Sequence, residues 1–172
     1  FLNFPNLAQV VLTSSTSVYP DGYGEVDETC THRPEGAGLL QLEYEEGLRK
    51  VFKEKLTVLR LAGLVGEDRN PAYFLSGKTN LSNGNSPVNL VHQLDVVPFI
   101  RQVIEQRKTN EIYNVCGDEH PSRVEFYTKS SKKAGLIPPT FNDVELINGK
   151  MILNSKGKRD LNFSYVISLN EM

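Results

Sequence analysis

The sequence predicts an α/β protein built on a parallel sheet, and three observations carry that reading. Three short β-rich runs alternate with three segments of helical periodicity. The second run, Leu56-Thr57-Val58-Leu59-Arg60-Leu61, returns after a helix and completes a β-α-β unit, whose crossover is as a rule right-handed. The first run, Val10-Val11-Leu12-Thr13-Ser14-Ser15-Thr16-Ser17-Val18-Tyr19, breaks abruptly from apolar residues into hydroxyls. In open parallel sheets ligands collect at the carboxyl ends of the strands, so the break marks a ligand-facing edge.

Each element has a local reason. Pro20-Asp21-Gly22-Tyr23-Gly24 is a run of turn formers, followed by the acidic stretch Glu25-Val26-Asp27-Glu28 and then Arg33-Pro34. From Glu35 to Lys53, Leu40, Tyr44, Leu48, Val51 and Phe52 recur at three- and four-residue steps, with Glu45 and Arg49 paired on the wet side of the helix. Gly63, Gly66 and Pro71 interrupt the chain after the second strand, and Asn83-Gly84 signals a tight turn before Pro87-Val88-Asn89-Leu90-Val91. Asp95 sits where an N-cap belongs, ahead of an apolar face of Val96, Val97, Ile100, Val103 and Ile104. Ile112, Tyr113 and Val115 form the third strand, ending at Gly117. Ser122-Arg123-Val124-Glu125, directly after Pro121, has the spacing of a capping box and opens a helix to Ala134. From Gly135 the chain reads as irregular, with turn signals at Pro138-Pro139 and Asn148-Gly149.

Composition narrows the class without naming it. With 172 residues, 39% apolar and 23% charged, the chain is long enough for one folded domain or half of a larger one. A net charge of −2 and a pI near 6.0 give no electrostatic reason to attract nucleic acid or an anionic membrane. Cys30 and Cys116 lie far apart with no metal or disulfide spacing, which favours reduced thiols and a cytoplasmic location. No apolar stretch approaches the roughly 18 residues of a membrane span. His32, His92 and His120 form no metal spacing, and Gly77-Lys78-Thr79 lacks the glycine a phosphate loop needs at the position of Ala72.

Five segments in order resemble the extended short-chain dehydrogenase/reductases, the NAD-dependent epimerases and dehydratases that act mainly on nucleotide sugars. They are Ser14-Ser15-Thr16-Ser17-Val18-Tyr19; Asp27-Glu28 with Pro34; Leu59-Arg60-Leu61-Ala62-Gly63-Leu64-Val65-Gly66; Val88 through Val97; and Ile112-Tyr113-Asn114-Val115. The resemblance implies a Rossmann-like fold of which this chain is the second half, with a small substrate-binding subdomain. Residues 1–66 and 88–117 would belong to the dinucleotide-binding part, and 67–87 and 118–172 to the substrate part. The family's glycine-rich turn for the dinucleotide pyrophosphate has no counterpart here, and Phe1 is not an initiator methionine. The chain therefore reads as a fragment whose NAD or NADP binding needs the absent N-terminal half. The expected partner is a sugar-like small molecule, with no nucleic acid or membrane, and a homodimer is left open.

The family's catalytic tyrosine and lysine stand in a Tyr-Gly-x-x-Lys-x-x-x-Glu pattern. Aligned on Gly36 and Glu43, that pattern puts Glu35 at the tyrosine and Leu39 at the lysine, and no Tyr-x-x-x-Lys occurs in the chain. The tyrosine moves a proton at the substrate hydroxyl and the lysine lowers its pKa, so the chain is atypical. The resemblance makes Ser15, with Thr16, the group that orients the substrate oxygen, leaving Glu35 as a substitute base. It places Ser14, Leu61, Ala62, Gly63 and Leu64 beside the cofactor, and Tyr19, Arg69 and His92 on the substrate side. Two functions stay open: a nucleotide-sugar enzyme, or a dinucleotide-binding sensor that has lost proton transfer. Arg60, inside a strand, should have a partner or reach the surface at the edge.

Overall fold

The computed structural model describes residues 6–142 and 149–169; Phe1 and Asn148 lie outside them. Strand β1 (Val10–Ser15) leads through a short 3-10 turn (Thr16–Val18) and β2 (Gly24–Val26) to helix α1 (Gly36–Phe52). Strands β3 (Leu56–Leu61) and β4 (Gly63–Val65) follow, then α2 (Ala72–Leu75), β5 (Leu90–His92) and α3 (Gln93–Glu105). The chain closes with β6 (Ile112–Val115), α4 (Arg123–Lys133), β7 (Lys150–Ile152) and α5 (Ser155–Leu161).

The three strands read from sequence form one parallel sheet in the order β1-β3-β6, with Ser14 opposite Arg60 and Arg60 opposite Asn114. Two small parallel pairs, β2-β7 and β4-β5, flank its carboxyl end. Because neighbours along a strand face opposite sides, Arg60 and Asn114 meet α1 while Leu59 and Tyr113 face α3. The α3 side is the apolar one. Phe99 is fully buried there, edge-on to Tyr113 at 6.0 Å and to Phe163 at 5.0 Å, and Gly157 of α5 leaves room for its ring. Ile152, Leu161 and Phe163 join this core, so the segment after residue 118 closes the main sheet.

Three local expectations are corrected. The apolar stripe of α1 does not face inward: Leu40, Tyr44 and Val51 are 68%, 56% and 67% exposed, whereas Gly38 and Glu45 are buried. The surface beneath α1 is polar at the ends of β1 and β3, and it takes Glu45 instead. Glu45 therefore pairs with Arg60, and Arg49 donates to Asn110. Asp95 is not the cap of α3; His92 is, its Nδ1 accepting from the Leu94 N–H at 3.1 Å. Asp95 is buried in the first turn and holds the Val166 and Ile167 N–H groups, fastening the tail. Finally, the region after Gly135 is not all irregular. Strand β7 and helix α5 are too short for periodicity to show, and β7 exists through pairing with β2.

The capping box of α4 is present in both directions, Ser122 Oγ receiving the Glu125 N–H and Glu125 receiving the Ser122 N–H. Among the described residues, no helix is long and apolar enough to cross a membrane.

Candidate functional site at the carboxyl end of the sheet

The hydroxyl run at the end of β1 divides by strand alternation. Ser14 turns inward, donates to Glu45 Oε1 and accepts from Gln41 Nε2 at 3.0 Å. Ser15 is half-buried and caps the following turn by accepting the Ser17 N–H at 3.1 Å. Thr16 is buried, its carbonyl receiving the Tyr19 N–H, and Ser17 is exposed. The turn fits tightly against α1: a Cβ on Gly38 would sit 2.2 Å from the Ser17 carbonyl oxygen. Only glycine allows that approach.

Beneath α1 the inward groups form a closed cluster. Glu45 grips the Arg60 guanidinium through both carboxylate oxygens, at 2.7 Å to Nη2 and 3.2 Å to Nε. Arg60 Nη1 donates to the Tyr19 hydroxyl at 2.8 Å, and that hydroxyl donates to Asn114 Oδ1 at 2.8 Å. Burial pushes the Tyr19 phenol up to about 12 against the pull of Arg60. Burial works against the Arg60 charge too, yet the contacts with Glu45 and Tyr19 outweigh it and hold the guanidinium above its usual range. Tyr19, expected on the substrate side, is only 1% exposed, and its hydroxyl is committed within the cluster. It is a strut between two strands. The cluster extends to Glu28, which accepts the Asn114 N–H at 2.7 Å and whose carboxyl burial raises above the ordinary range.

The remaining candidates lie outside that cluster. Glu35 is exposed and begins α1 without capping it. Leu39 is half-buried and Glu43 exposed. Leu61 and Leu64 pack against the core, and Ala62 is buried with its N–H on the Val115 carbonyl at 3.0 Å. Gly63 is exposed, and a Cβ there would sit 2.7 Å from Leu90 Cδ2. The absent side chain of Gly63 thus makes room for Leu90 of the paired strand β5. Arg69 is exposed on the turn that its N–H closes onto the Gly66 carbonyl. His92 lines a cavity of about 190 Å³ with Gly66, Glu67, Asn70, Pro71 and Ser130. Sequence reasoning missed Gln41, Glu45 and Asn114 as site-shaping residues. A buried arginine in a strand was the available signal, and its partner lay on the helix face read as wet.

Among the described residues, no group of three or more His, Cys, Asp or Glu is placed to hold a metal ion.

No family model matches the chain. Protein YeeZ of Escherichia coli strain K12 is 39% identical over 161 residues, covering 92% of this chain; the chain spans 58% of that relative's length. Among solved structures, a functionally unknown conserved protein from Silicibacter pomeroyi superposes with a TM-score of 0.80 at 24% identity, over 95% of this chain and 64% of that one. MoeE5 in complex with UDP-glucuronic acid and NAD gives 0.79 at 20% identity, over 95% and 61%. UDP-glucuronic acid 4-epimerase from Bacillus cereus in complex with NAD gives 0.76 at 21% identity, over 93% and 57%. The chain has the mixed α/β, Rossmann-like fold of these solved structures, two of which are complexes with NAD.

Proposed function

We propose that the chain is the second half of an atypical NAD(P)-dependent epimerase/dehydratase-like protein acting on a nucleotide-sugar-type substrate. One observation carries the reading: a parallel sheet of this fold ends in a hydroxyl-bearing turn at Ser15, opposite Leu61 at the carboxyl end of β3. Ser15 and Thr16 would orient the substrate oxygen, and Leu61 to Leu64 would lie beside the nicotinamide. That ring, when bound, supplies hydride transfer; these residues position and exclude water. The whole dinucleotide would be held together with further chain that supplies a glycine-rich turn. Free thiols at Cys30 and Cys116 support a cytoplasmic protein.

The atypical site is best read with the family pattern moved two residues along. Gly38 and Glu45 then take its glycine and glutamate, which suits the tight packing of Gly38 and the burial of Glu45. Ala37 and Gln41 fall at the tyrosine and lysine. Glu35, exposed at the start of α1 and making no cap bond there, is a poor substitute base. A second reading follows from Gln41, whose amide is committed to Ser14: a sensor that binds dinucleotide without turnover.

The test is the intact protein with NAD and UDP-glucose or UDP-glucuronic acid. Reduction of NAD or epimerised product supports the enzyme, and tight binding without chemistry supports the sensor. Failure to bind both NAD and NADP sinks both readings. The 172-residue chain alone is expected to bind NAD(P) more weakly than micromolar by calorimetry.

A further inference from the structure

The cavity at the carboxyl ends of β4 and β5 is small, about 190 Å³, below the range of about 300–1,000 Å³ typical of sites for whole drug-sized ligands. It suits one fragment of a ligand. Its polar atoms can be assigned one by one. His92 Nδ1 accepts the Leu94 N–H, so the ring proton sits on Nε2, which is left as a donor. Asn70 Oδ1 accepts the Ala72 N–H at 2.9 Å, which leaves the Asn70 amide NH2 as a second donor. Ser130 is buried and its hydroxyl points at the Tyr127 carbonyl at 3.4 Å, so its lone pairs stay available. The formal negative charge on the lining is the Glu67 carboxylate, while Arg69, two residues on, is not among the lining residues.

We propose that this cavity receives the neutral, hydroxyl-bearing end of the sugar and that Glu67 excludes a carboxylate there, making the chain selective against uronate sugars. The proposal rests on the nucleotide-sugar reading above. Two donors and one carboxylate acceptor match hydroxyl groups, each of which both accepts and donates. A uronate would instead set its charge against Glu67, an exposed residue of the lining. Arg69, expected on the substrate side, does not line this cavity.

Calorimetric titration of the intact protein with UDP-glucose and UDP-glucuronic acid, each with NAD present, reads the selectivity. UDP-glucose is expected to bind about tenfold more tightly, and Glu67→Gln to bring the two affinities close together. Equal or tighter binding of UDP-glucuronic acid overturns the proposal, as does a ratio that Glu67→Gln leaves unchanged. If neither nucleotide sugar binds, the nucleotide-sugar reading fails by itself, and the cavity is then read with free sugars. NMR shifts of the His92 imidazole with glucose but not with glucuronate, at equal concentration, still uphold the exclusion of the carboxylate. Equal shifts with both, or none with either, refute it.

Discussion

Two polar regions of this molecule lie near the same end of the sheet and differ in how their atoms are used. Under α1, Ser14, Tyr19, Glu45, Arg60 and Asn114 are buried, and each named group is bonded to another member of the cluster. Around the β4-β5 cavity, His92 and Asn70 are each anchored by one atom to the backbone and present the other to open space. A closed network fixes geometry; a half-satisfied one is available to a ligand. The difference teaches that richness in hydroxyls and amides does not by itself locate a site. What locates it is which donors the fold leaves over.

The largest expected effect breaks the closed region. Glu45→Ala strands the Arg60 charge in the interior and should lower unfolding free energy by about 3–5 kcal/mol in urea titrations. Replacing both members of the pair, Glu45→Leu with Arg60→Met, should cost clearly less than the two single changes summed. Additive losses would show that the cluster is not one unit. Tyr19→Phe comes next, at about 1–3 kcal/mol, because Asn114 Oδ1 loses its donor and one arm of Arg60 its acceptor. A value near zero would mean that water or Glu28 takes over.

Ser15→Ala sharpens the contrast, since Ser15 belongs structurally to the turn and chemically to the open edge. Its loss should cost about 1 kcal/mol or less in stability. Substrate turnover by the intact protein should drop more than tenfold if the hydroxyl orients substrate, and an unchanged kcat/KM would reduce Ser15 to a cap.

The smallest effect concerns pH. Burial lowers the pKa of His120, so on acidification the unfolded chain takes up that proton before the folded one does. Stability is therefore lost as pH falls through the unfolded value near 6.5. The urea midpoint of His120→Gln should depend less on pH between about 7.5 and 5.5 than that of the parent; an identical slope would assign the dependence elsewhere.

Much of this was legible in order along the chain. The three strands of the main sheet, the helix following each, and the Ser122-Glu125 capping box lie where local pattern puts them, because each depends on neighbours a few residues away. The α1 stripe misled for a physical reason: periodicity reports which residues share a face, not which face the sheet will cover. Asp95 looked like a cap because a strand running straight into a helix lets its last residue, His92, do that work.

The sequence by itself determined the alternation of elements and the absence of a Tyr-x-x-x-Lys pair, both properties of spacing along one dimension. Tertiary structure alone decided that Ser14 faces Glu45, that Tyr19 is a strut, and that β7 is a strand at all. Those outcomes depend on partners 31, 95 and more than a hundred residues apart, brought together when strands 10–15, 56–61 and 112–115 form one sheet. Contacts of that range follow from burying the sheet's two faces, which no local window contains.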